Sequence, residues 1–216
     1  MGEGHGTAVL AIEQTAGRGR RGRPWFSPPG NFYCSIILDP GPDPARSSDL
    51  VFVAAVALRG ALAGLAPLSQ FACKWPNDIL CDGAKVAGTL LEVMDARVIL
   101  GVGVNIVAAP PAGITQYPAT SLAAAGSVAD ADAVYAAFTD QLGTWYALWR
   151  DQGFAHVRQA WLDHAIGVGH PVTVRLADAS VLEGRFGGLD ARGALLLDAA
   201  DGTRRPVLAG DVFFAA

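Results

Sequence analysis

The chain has 216 residues, 51% of them hydrophobic, and a formal net charge of -4. This length and composition can bury a full core, as one large domain or as one domain with a small satellite, and they exclude a disordered protein. The acidic balance also disfavours a protein that coats nucleic acid by broad electrostatics, because such proteins are more often basic overall.

The cysteines and the apolar segments bear on cellular location. Cys34, Cys73 and Cys81 are odd in number and show no CxxC spacing, which is typical of reduced thiols in the cytoplasm rather than of disulfides or a zinc site. The N-terminal sequence lacks the pattern of a signal peptide. The longest apolar run, 50–67, contains Arg59 near its middle, so we interpret it as a buried helix and expect no membrane span.

The first half of the chain predicts a sheet with one helical face. A buried strand is expected at 7–14 and a second strand at 31–39, followed by a helix at 48–65 whose N-cap candidates are Ser47, Ser48 and Asp49. Four further strands separated by short turns are expected at 70–75, 79–83, 85–95 and 97–107. Together these elements predict an α+β fold whose sheet is mixed but mostly antiparallel.

The second half begins with helices and ends in short strands. The apolar spacing of three and four residues over 130–149 predicts an amphipathic helix, and a shorter helix is expected at 153–165. Beyond Gly167, short strands alternate with Asp/Gly turns, which is typical of a small β-barrel or sandwich. We place the domain boundary near Ile166, giving domains 1–166 and 167–216.

The stretch "GRGRRGRPW" at 17–25 concentrates positive charge on a glycine-rich segment. Glycine lets backbone N–H groups approach a ligand, and the arginine fork fits carboxylate and phosphate, so the pattern indicates an anion site. An exposed basic turn or an RNA contact is the alternative, and the position between two apolar strands favours the site. Like charges about 8 Å apart in water repel by about 0.5 kcal/mol per pair, so we expect this loop to be mobile until an anion binds.

Two further motifs carry candidate ligand contacts. The stretch "KWPNDILCDGAKVAGTLLE" at 74–92 contains both lysines of the chain, Lys74 and Lys85. Lys85 at the start of a strand can neutralise an acyl or phosphoryl oxygen, whereas a structural Lys74–Asp78 pair with a solvated Lys85 is the alternative. In "GVGVNI" at 101–106, alternate glycines leave room for a flat ligand, although a close strand crossing would need them equally.

In this order and spacing, "EQTAGRGRRGRPW", "KWPNDIL", "KVAGTLLE" and "GVGVNI" resemble the biotin protein ligases, also called biotin-[acetyl-CoA-carboxylase] ligases. The closing segment, especially "GALLLD", resembles their C-terminal domain. The resemblance therefore covers almost the whole chain and implies a class II synthetase-like fold, the biotin-lipoate ligase fold, with a small SH3-like C-terminal β-barrel.

The resemblance implies a two-step, ATP-dependent reaction in the cytoplasm. The carboxylate of biotin attacks the α-phosphate of ATP, with Mg²⁺ present, giving biotinyl-5'-AMP and pyrophosphate. A lysine amine of an acceptor then attacks the activated acyl carbon. The acceptor is expected to be the biotin carboxyl carrier domain of acetyl-CoA carboxylase or of a related carboxylase.

The resemblance also implies the roles of individual residues. Those expected to act in catalysis are Lys85, Arg20 and Asp78. Those expected to bind biotin are Gln14, Arg18, Gly19, Arg20, Lys85, Gly88, Gly101 and Gly103. Those expected to contact the nucleotide are Arg20, Arg23, Trp25 and Asn105. No magnesium ligand is assigned.

The sequence departs from the family pattern at its N-terminus. Family members usually carry a Ser-Thr-Asn segment upstream of the first strand, and this chain begins after that position. We favour a start codon assigned too far downstream over a true short variant or a degenerate ligase with weak biotin affinity. The winged helix that some members add is also missing, so we expect no repressor role and no DNA as partner, while a homodimer is possible.

Two other functions remain open at this point. Lipoate-type protein ligases share the fold and the acyl-adenylate chemistry. A non-catalytic nucleic-acid-binding module using the arginines on phosphate belongs to a different class altogether.

Overall fold

A computed structural model describes residues 4–94 and 97–214. In this part of the chain, a six-stranded and a five-stranded antiparallel sheet combine with three α-helices, which agrees with the predicted α+β class. The strands of the first sheet are β1 Ala8–Ala11, β2 Phe32–Leu38, β3 Phe71–Lys74, β4 Asp78–Cys81, β5 Ala84–Met94 and β6 Arg97–Val104. The strands of the second sheet are β7 Pro171–Arg175, β8 Val181–Leu189, β9 Leu195–Asp198, β10 Arg204–Val207 and β11 Asp211–Phe214. The helices are α1 Asp49–Leu65, α2 Ala131–Gln152 and α3 Phe154–Asp163.

The first sheet has the order β1-β2-β6-β5-β4-β3, and its two faces differ in composition. Directly paired residues share a face, so Cys34, Val102 and Thr89 point toward the helices. Their neighbours Gly103 and Gly88, also paired with each other, point to the opposite face. The helix-facing side is apolar and buried, whereas the opposite side carries the glycines that the sequence motifs contain.

Helix α1 forms the centre of the helical layer. Leu50, Val53 and Leu58 are buried in the core, as expected for an apolar helix packed on a sheet. Ser48 occupies the N-cap position without a side-chain capping bond, while Asp49 lies inside the helix, where its carboxylate accepts from the indole N–H of Trp149 at 2.9 Å. By length and composition alone the segment Pro44–Leu65 would be long and apolar enough to cross a membrane, but 61% of its most apolar window is buried in the protein.

Strand β1 differs from the prediction of a buried strand. It lies at the edge of the sheet, where β2 is its one partner among the described strands, and most of its residues are exposed, with Val9 64% accessible. Apolar content alone indicated burial, but an edge position leaves the side chains uncovered wherever no helix packs over them. The prediction of a strand here is therefore confirmed, and the prediction that the strand is buried is wrong.

The cysteines of the first sheet are free and buried, in agreement with reduced thiols. Burial raises the pKa of the Cys34 thiol to about 11 and that of Cys73 to about 12. Both thiols therefore stay protonated at neutral pH, and they serve as small apolar side chains of the core.

The C-terminal sheet, with the order β10-β9-β8-β7-β11, is attached to the first sheet through a buried contact. The indole N–H of Trp75, in the turn between β3 and β4, donates to the carbonyl of Gly193 at 3.0 Å. Gly193 has a φ of +81°, and an added Cβ would lie 2.3 Å from the ring of Phe52 in α1. Glycine is therefore required here both by the backbone conformation and by the close packing.

We predict that Gly193→Ala destabilises the protein more than Gly202→Ala. Gly202 has a similar φ of +80° but no atom within 4 Å of the added Cβ, so its substitution isolates the backbone cost of about 1–2 kcal/mol. The clash with Phe52 should add about 1–3 kcal/mol at Gly193. Urea denaturation of the two variants measures both free energies, and equal losses would contradict the packing role.

Candidate functional site

The arginine-rich stretch forms a small closed loop, Gly17–Trp25. The backbone N–H of Gly19 donates to the carbonyl of Arg23 at 2.7 Å, and that of Trp25 donates to the carbonyl of Gly17 at 2.9 Å. Arg21 lies at the tip with a φ of +58°. We call residues 17–25 the arginine loop.

A carboxylate from the C-terminal sheet holds the arginine loop. Asp211, at the start of β11, accepts from Arg21 at 3.1 Å and from Arg23 at 2.9 Å. Only 18% of the Asp211 side chain is exposed. Water and salt therefore screen its ion pairs with Arg21 and Arg23 less than they screen an ordinary surface pair. Asp211 thus partly offsets the repulsion between the arginines on which the prediction of a mobile loop was based. Asp211 lies almost 190 positions away in sequence and belongs to no local motif.

Arg20 joins the arginine loop to the KWPND turn. One of its terminal nitrogens donates to the side-chain oxygen of Asn77 and to the carbonyl of Gly210, both at 3.4 Å. Burial lowers the pKa of the Arg20 guanidinium below its ordinary value, while Asp211 and Asp78 oppose that shift. Arginine nevertheless keeps its charge at neutral pH, so Arg20 is a half-buried cation at the meeting point of three segments.

Beside Arg20, two lysines share one carboxylate. Nζ of Lys85 lies 2.5 Å from Oδ1 of Asp78, and Nζ of Lys74 lies 4.0 Å from Oδ2. Asp78 pairs across the sheet with Gly88, and an added Cβ at Gly88 would lie 3.4 Å from both the Asp78 carboxylate and the Lys85 ammonium. Glycine at this position therefore leaves room for the ion pair on the open face of the sheet.

Trp25 covers another glycine of the same face. An added Cβ at Gly103 would lie 2.6 Å from Nε1 of Trp25, so only glycine lets the indole lie flat on β6. Nζ of Lys85 stands 5.1 Å from the centre of the Trp25 ring, within cation–π range. Trp25 Nε1 is buried against β6 and has no hydrogen-bond partner in the part of the chain that the structure describes.

The structure thus brings most of the predicted site residues onto one surface. Arg20, Trp25, Asp78, Lys85 and the glycine floor meet at the end of the sheet. Arg18 lies apart: it is largely exposed, and its nearest acidic partner is Glu92 at 4.0 Å.

Two other predicted residues, Gln14 and Asn105, hydrogen-bond to groups of the protein itself. The side-chain oxygen of Gln14 accepts from the Ser27 hydroxyl at 2.8 Å. Asn105 is buried, and its amide donates to the carbonyl of Thr120 at 3.0 Å, so it fixes the loop that follows β6.

Several residues of the site were not found as site residues by sequence reasoning. Lys74 is buried next to the ring of Tyr117 at 4.8 Å, and burial, together with the charge of Asp78, raises the pKa of the Tyr117 hydroxyl. The side-chain amide of Asn77 donates to the carbonyl of Thr89. Lys74 and Asn77 belong to the KWPND motif, so the signal was present, whereas Tyr117 and Asp211 lie in stretches without any motif.

The described residues offer no grouping of three or more His, Cys, Asp or Glu side chains that could hold a metal ion. The carboxylates at the site, Asp78 and Asp211, are both engaged by cations. The chemistry of this donor set therefore suits anions.

We predict that Asp211→Asn loosens the arginine loop. Removing the charge that pairs with Arg21 and Arg23 leaves the arginines to repel each other, so amide hydrogen exchange over 17–25 should become faster. The matched control is Asp201→Asn, which removes an exposed pair with Arg205 at 3.1 Å within the C-terminal sheet. Unchanged exchange in Asp211→Asn would show that the loop is held by its backbone alone.

Comparison with known proteins gives consistent matches over most of the chain. A model described as the biotin/lipoate A/B protein ligase family matches residues 4–106, and one described as the biotin protein ligase C terminal domain matches residues 167–215. A biotin--[acetyl-CoA-carboxylase] ligase of Paracoccus denitrificans is 42% identical over 221 residues, covering 95% of this chain and 89% of that protein.

Two further proteins match the chain at lower sequence identity. The bifunctional ligase/repressor BirA of Bacillus subtilis is 33% identical, and the matched region spans 93% of this chain but 64% of BirA. The solved structure of a biotin protein ligase from Aquifex aeolicus in complex with biotin and ATP is 25% identical with a TM-score of 0.85, covering 100% of this chain and 91% of that chain. By sequence, by domain composition and by fold, the chain belongs to the biotin protein ligase family.

Proposed function

We propose that this protein is an ATP-dependent biotin protein ligase, which activates biotin as biotinyl-5'-AMP and transfers it to a lysine of a carrier domain. The observation that carries the proposal is the meeting of Arg20, Lys74 and Lys85 around the single carboxylate of Asp78, on the glycine-lined face of the sheet. The proposal is supported by the Paracoccus ligase at 42% identity and by the similar Aquifex structure, which is a complex with biotin and ATP.

The first step joins two anions, so it requires concentrated positive charge. A carboxylate oxygen of biotin forms a bond to the α-phosphorus of ATP, and the bond from that phosphorus to pyrophosphate breaks. We propose that Lys85 and Arg20 neutralise the carboxylate and phosphate oxygens and that Arg23 meets the outer phosphates. Fixed cations beside a partly buried surface stabilise developing charge more than the same groups in water do.

The second step transfers the acyl group to an amine. The lysine nitrogen of the acceptor forms a bond to the acyl carbon, the bond to the AMP oxygen breaks, and the nitrogen loses a proton. Asp78 is proposed to orient Lys85 and the incoming amine through its carboxylate. Trp25 and the arginine loop, held by Asp211, would exclude water that hydrolyses an exposed adenylate.

Biotin is proposed to lie on the glycine floor. Gly88, Gly101 and Gly103 share one face of the sheet. Gly101 has ordinary space above it, and the ring would lie there, between Trp25 over Gly103 and the Lys85–Asp78 pair beside Gly88. Gln14, Arg18 and Gly19 would contact biotin from the arginine-loop side, and Asn105 would support the nucleotide region by fixing the loop after β6.

The expected partner is a biotin carboxyl carrier domain of a carboxylase. The match of the C-terminal model to residues 167–215 favours biotin over lipoate as the carboxylic acid. We further propose that residues 1–166 form the catalytic domain and 167–216 an SH3-like domain, that the enzyme acts in the cytoplasm without DNA as a partner, and that a homodimer is compatible with this role.

Magnesium is proposed to enter with the nucleotide. Mg²⁺ prefers hard oxygen ligands and is commonly bound through substrate phosphates, so the triphosphate would supply ligands for it. Bound there, the ion would offset phosphate charge.

The direct test is biotin-dependent exchange of labelled pyrophosphate into ATP. Addition of biotin, but not of lipoate, should start the exchange. Exchange that is absent with biotin, or equally fast with lipoate, would overturn the assignment. Retention of RNA that is lost when Arg20 and Arg23 are neutralised, with no exchange in the unaltered protein, would support a nucleic-acid module instead.

We predict that Lys85→Ala lowers the exchange rate by a factor of about 100 or more, the typical loss when one donor to a developing anion is removed. The melting temperature should change little, because Lys85 is partly exposed and Asp78 keeps Lys74 nearby. The control is Arg205→Ala, an exposed cation of the C-terminal sheet. Parallel losses of rate and thermal stability would assign Lys85 a structural role.

We also predict that Gly103→Ala impairs exchange more than Gly101→Ala. The added methyl at Gly103 meets the Trp25 indole at 2.6 Å, whereas at Gly101 its nearest atom is 3.6 Å away, an ordinary contact. Displacing Trp25 should raise KM for ATP and biotin. Equal KM values in the two variants would mean that Trp25 does not pack over the ligand.

A further inference from the structure

Lys74 is an unusual lysine because its side chain is buried. It ends β3 and is only 6% exposed, whereas lysine is almost never fully buried unless it is paired. Its neighbour in sequence, Trp75, is fixed by the hydrogen bond to Gly193. The position of Lys74 is therefore set by the sheet and by the C-terminal domain.

The contacts of Lys74 compensate only part of that burial. Its nitrogen lies 4.0 Å from Oδ2 of Asp78 and 4.8 Å from the centre of the Tyr117 ring. The carboxylate is beyond the N–H···O distance of about 2.7–3.2 Å, and the ring offers only its π face. Burying an ammonium group with only these contacts costs free energy of folding. A purely structural role for Lys74 does not explain that cost.

The geometry around Asp78 gives Lys74 an electrostatic role. Oδ1 of Asp78 is 2.5 Å from Lys85, and Oδ2 faces Lys74, so one negative charge stands between two positive charges. With both lysines charged, the three groups carry a net charge of +1. Without Lys74, Asp78 would neutralise Lys85 completely.

We propose that Lys74 is a positioning residue, which shares the Asp78 carboxylate so that Lys85 keeps an uncompensated positive charge for an anionic ligand. The identity of that ligand, a nucleoside triphosphate, rests on the proposed function. Lys74 itself stands behind Asp78, whereas Lys85 is more exposed and faces Trp25. Lys74 thus acts through Asp78.

The charge of Lys74 is sensitive to pH. Burial lowers the pKa of Lys74 below the ordinary value of 10.5. Asp78 on β4 and Asp211 on β11 favour its charged form, while Lys85 on β5 and Arg20 in the arginine loop disfavour it, and Tyr117 packs on it from the loop after β6. Lys74 therefore loses its proton, and the site loses one positive charge, as pH rises toward the alkaline range.

The test measures the affinity for ATP and for inorganic pyrophosphate by calorimetry, with no turnover required. In the unaltered protein, the Kd for both anions should rise with increasing pH, and the rise should begin at a lower pH than the titration of an exposed lysine, because burial lowers the pKa of Lys74. Lys74→Met should raise the Kd about tenfold at pH 8 and remove this pH dependence. Lys74→Arg should bind both anions tightly at pH 8, and its Kd should not depend on pH over the same range.

A double-mutant cycle tests whether Lys74 acts through Asp78 or has a purely structural role. In an Asp78→Asn background, Lys74→Met should change Kd much less, because no carboxylate is left to share. Arg59→Met is the matched control: Arg59 donates to the carbonyl of Phe71 at the other end of β3, at 3.1 Å, so its loss lowers stability without altering the pH profile.

Affinities that do not change with pH in the unaltered protein, or a Lys74→Met effect that is equal in both backgrounds, would overturn the proposal. The first of these measurements needs no variant and so does not depend on the folding of Lys74→Met. Tight anion binding with the expected pH dependence, but no biotin-dependent exchange, would leave the role of Lys74 intact and contradict the ligase function instead.

Discussion

The site depends on holding several cations together in a protein that is acidic overall. Arg20, Arg21, Arg23, Lys74 and Lys85 gather at one end of a sheet, where Asp211 pairs with Arg21 and Arg23, and Asp78 with Lys74 and Lys85. Each carboxylate pairs with two cations, so the cluster stays electropositive while its internal repulsion is reduced. An anion of several charges is the natural complement of such a cluster.

The two carboxylates come from different parts of the fold, and this makes the C-terminal sheet part of the site. Asp78 stands on the sheet that also supplies Lys74 and Lys85, whereas Asp211 reaches the arginine loop from β11. Trp75 and Gly193 form a second link, at the KWPND turn itself. The C-terminal sheet thus contacts both the arginine loop, through Asp211, and the KWPND turn, through Gly193.

The glycines illustrate how one residue type serves different purposes. Gly103 is required by Trp25, which arrives from the arginine loop, whereas Gly88 lies beside the Asp78 carboxylate and the Lys85 side chain of its own strand. Gly101 has ordinary space above it and remains available to a ligand. The alternation of glycine on β6 is readable in the sequence, but what lies above each glycine is not.

By itself, the sequence determined the α+β class, the order of the helices and strands and the three motifs, because hydrophobic periodicity and local residue types carry that information. Through the resemblance to a family, it also pointed to Arg20, Lys85 and Asp78 as residues expected to act in catalysis. Only the tertiary structure decided that β1 is an exposed edge, that Asp211 holds the arginine loop and that Lys74 is buried behind Asp78. These facts arise from contacts between residues far apart in the chain, and neither burial nor the partner of a charge is set by local sequence.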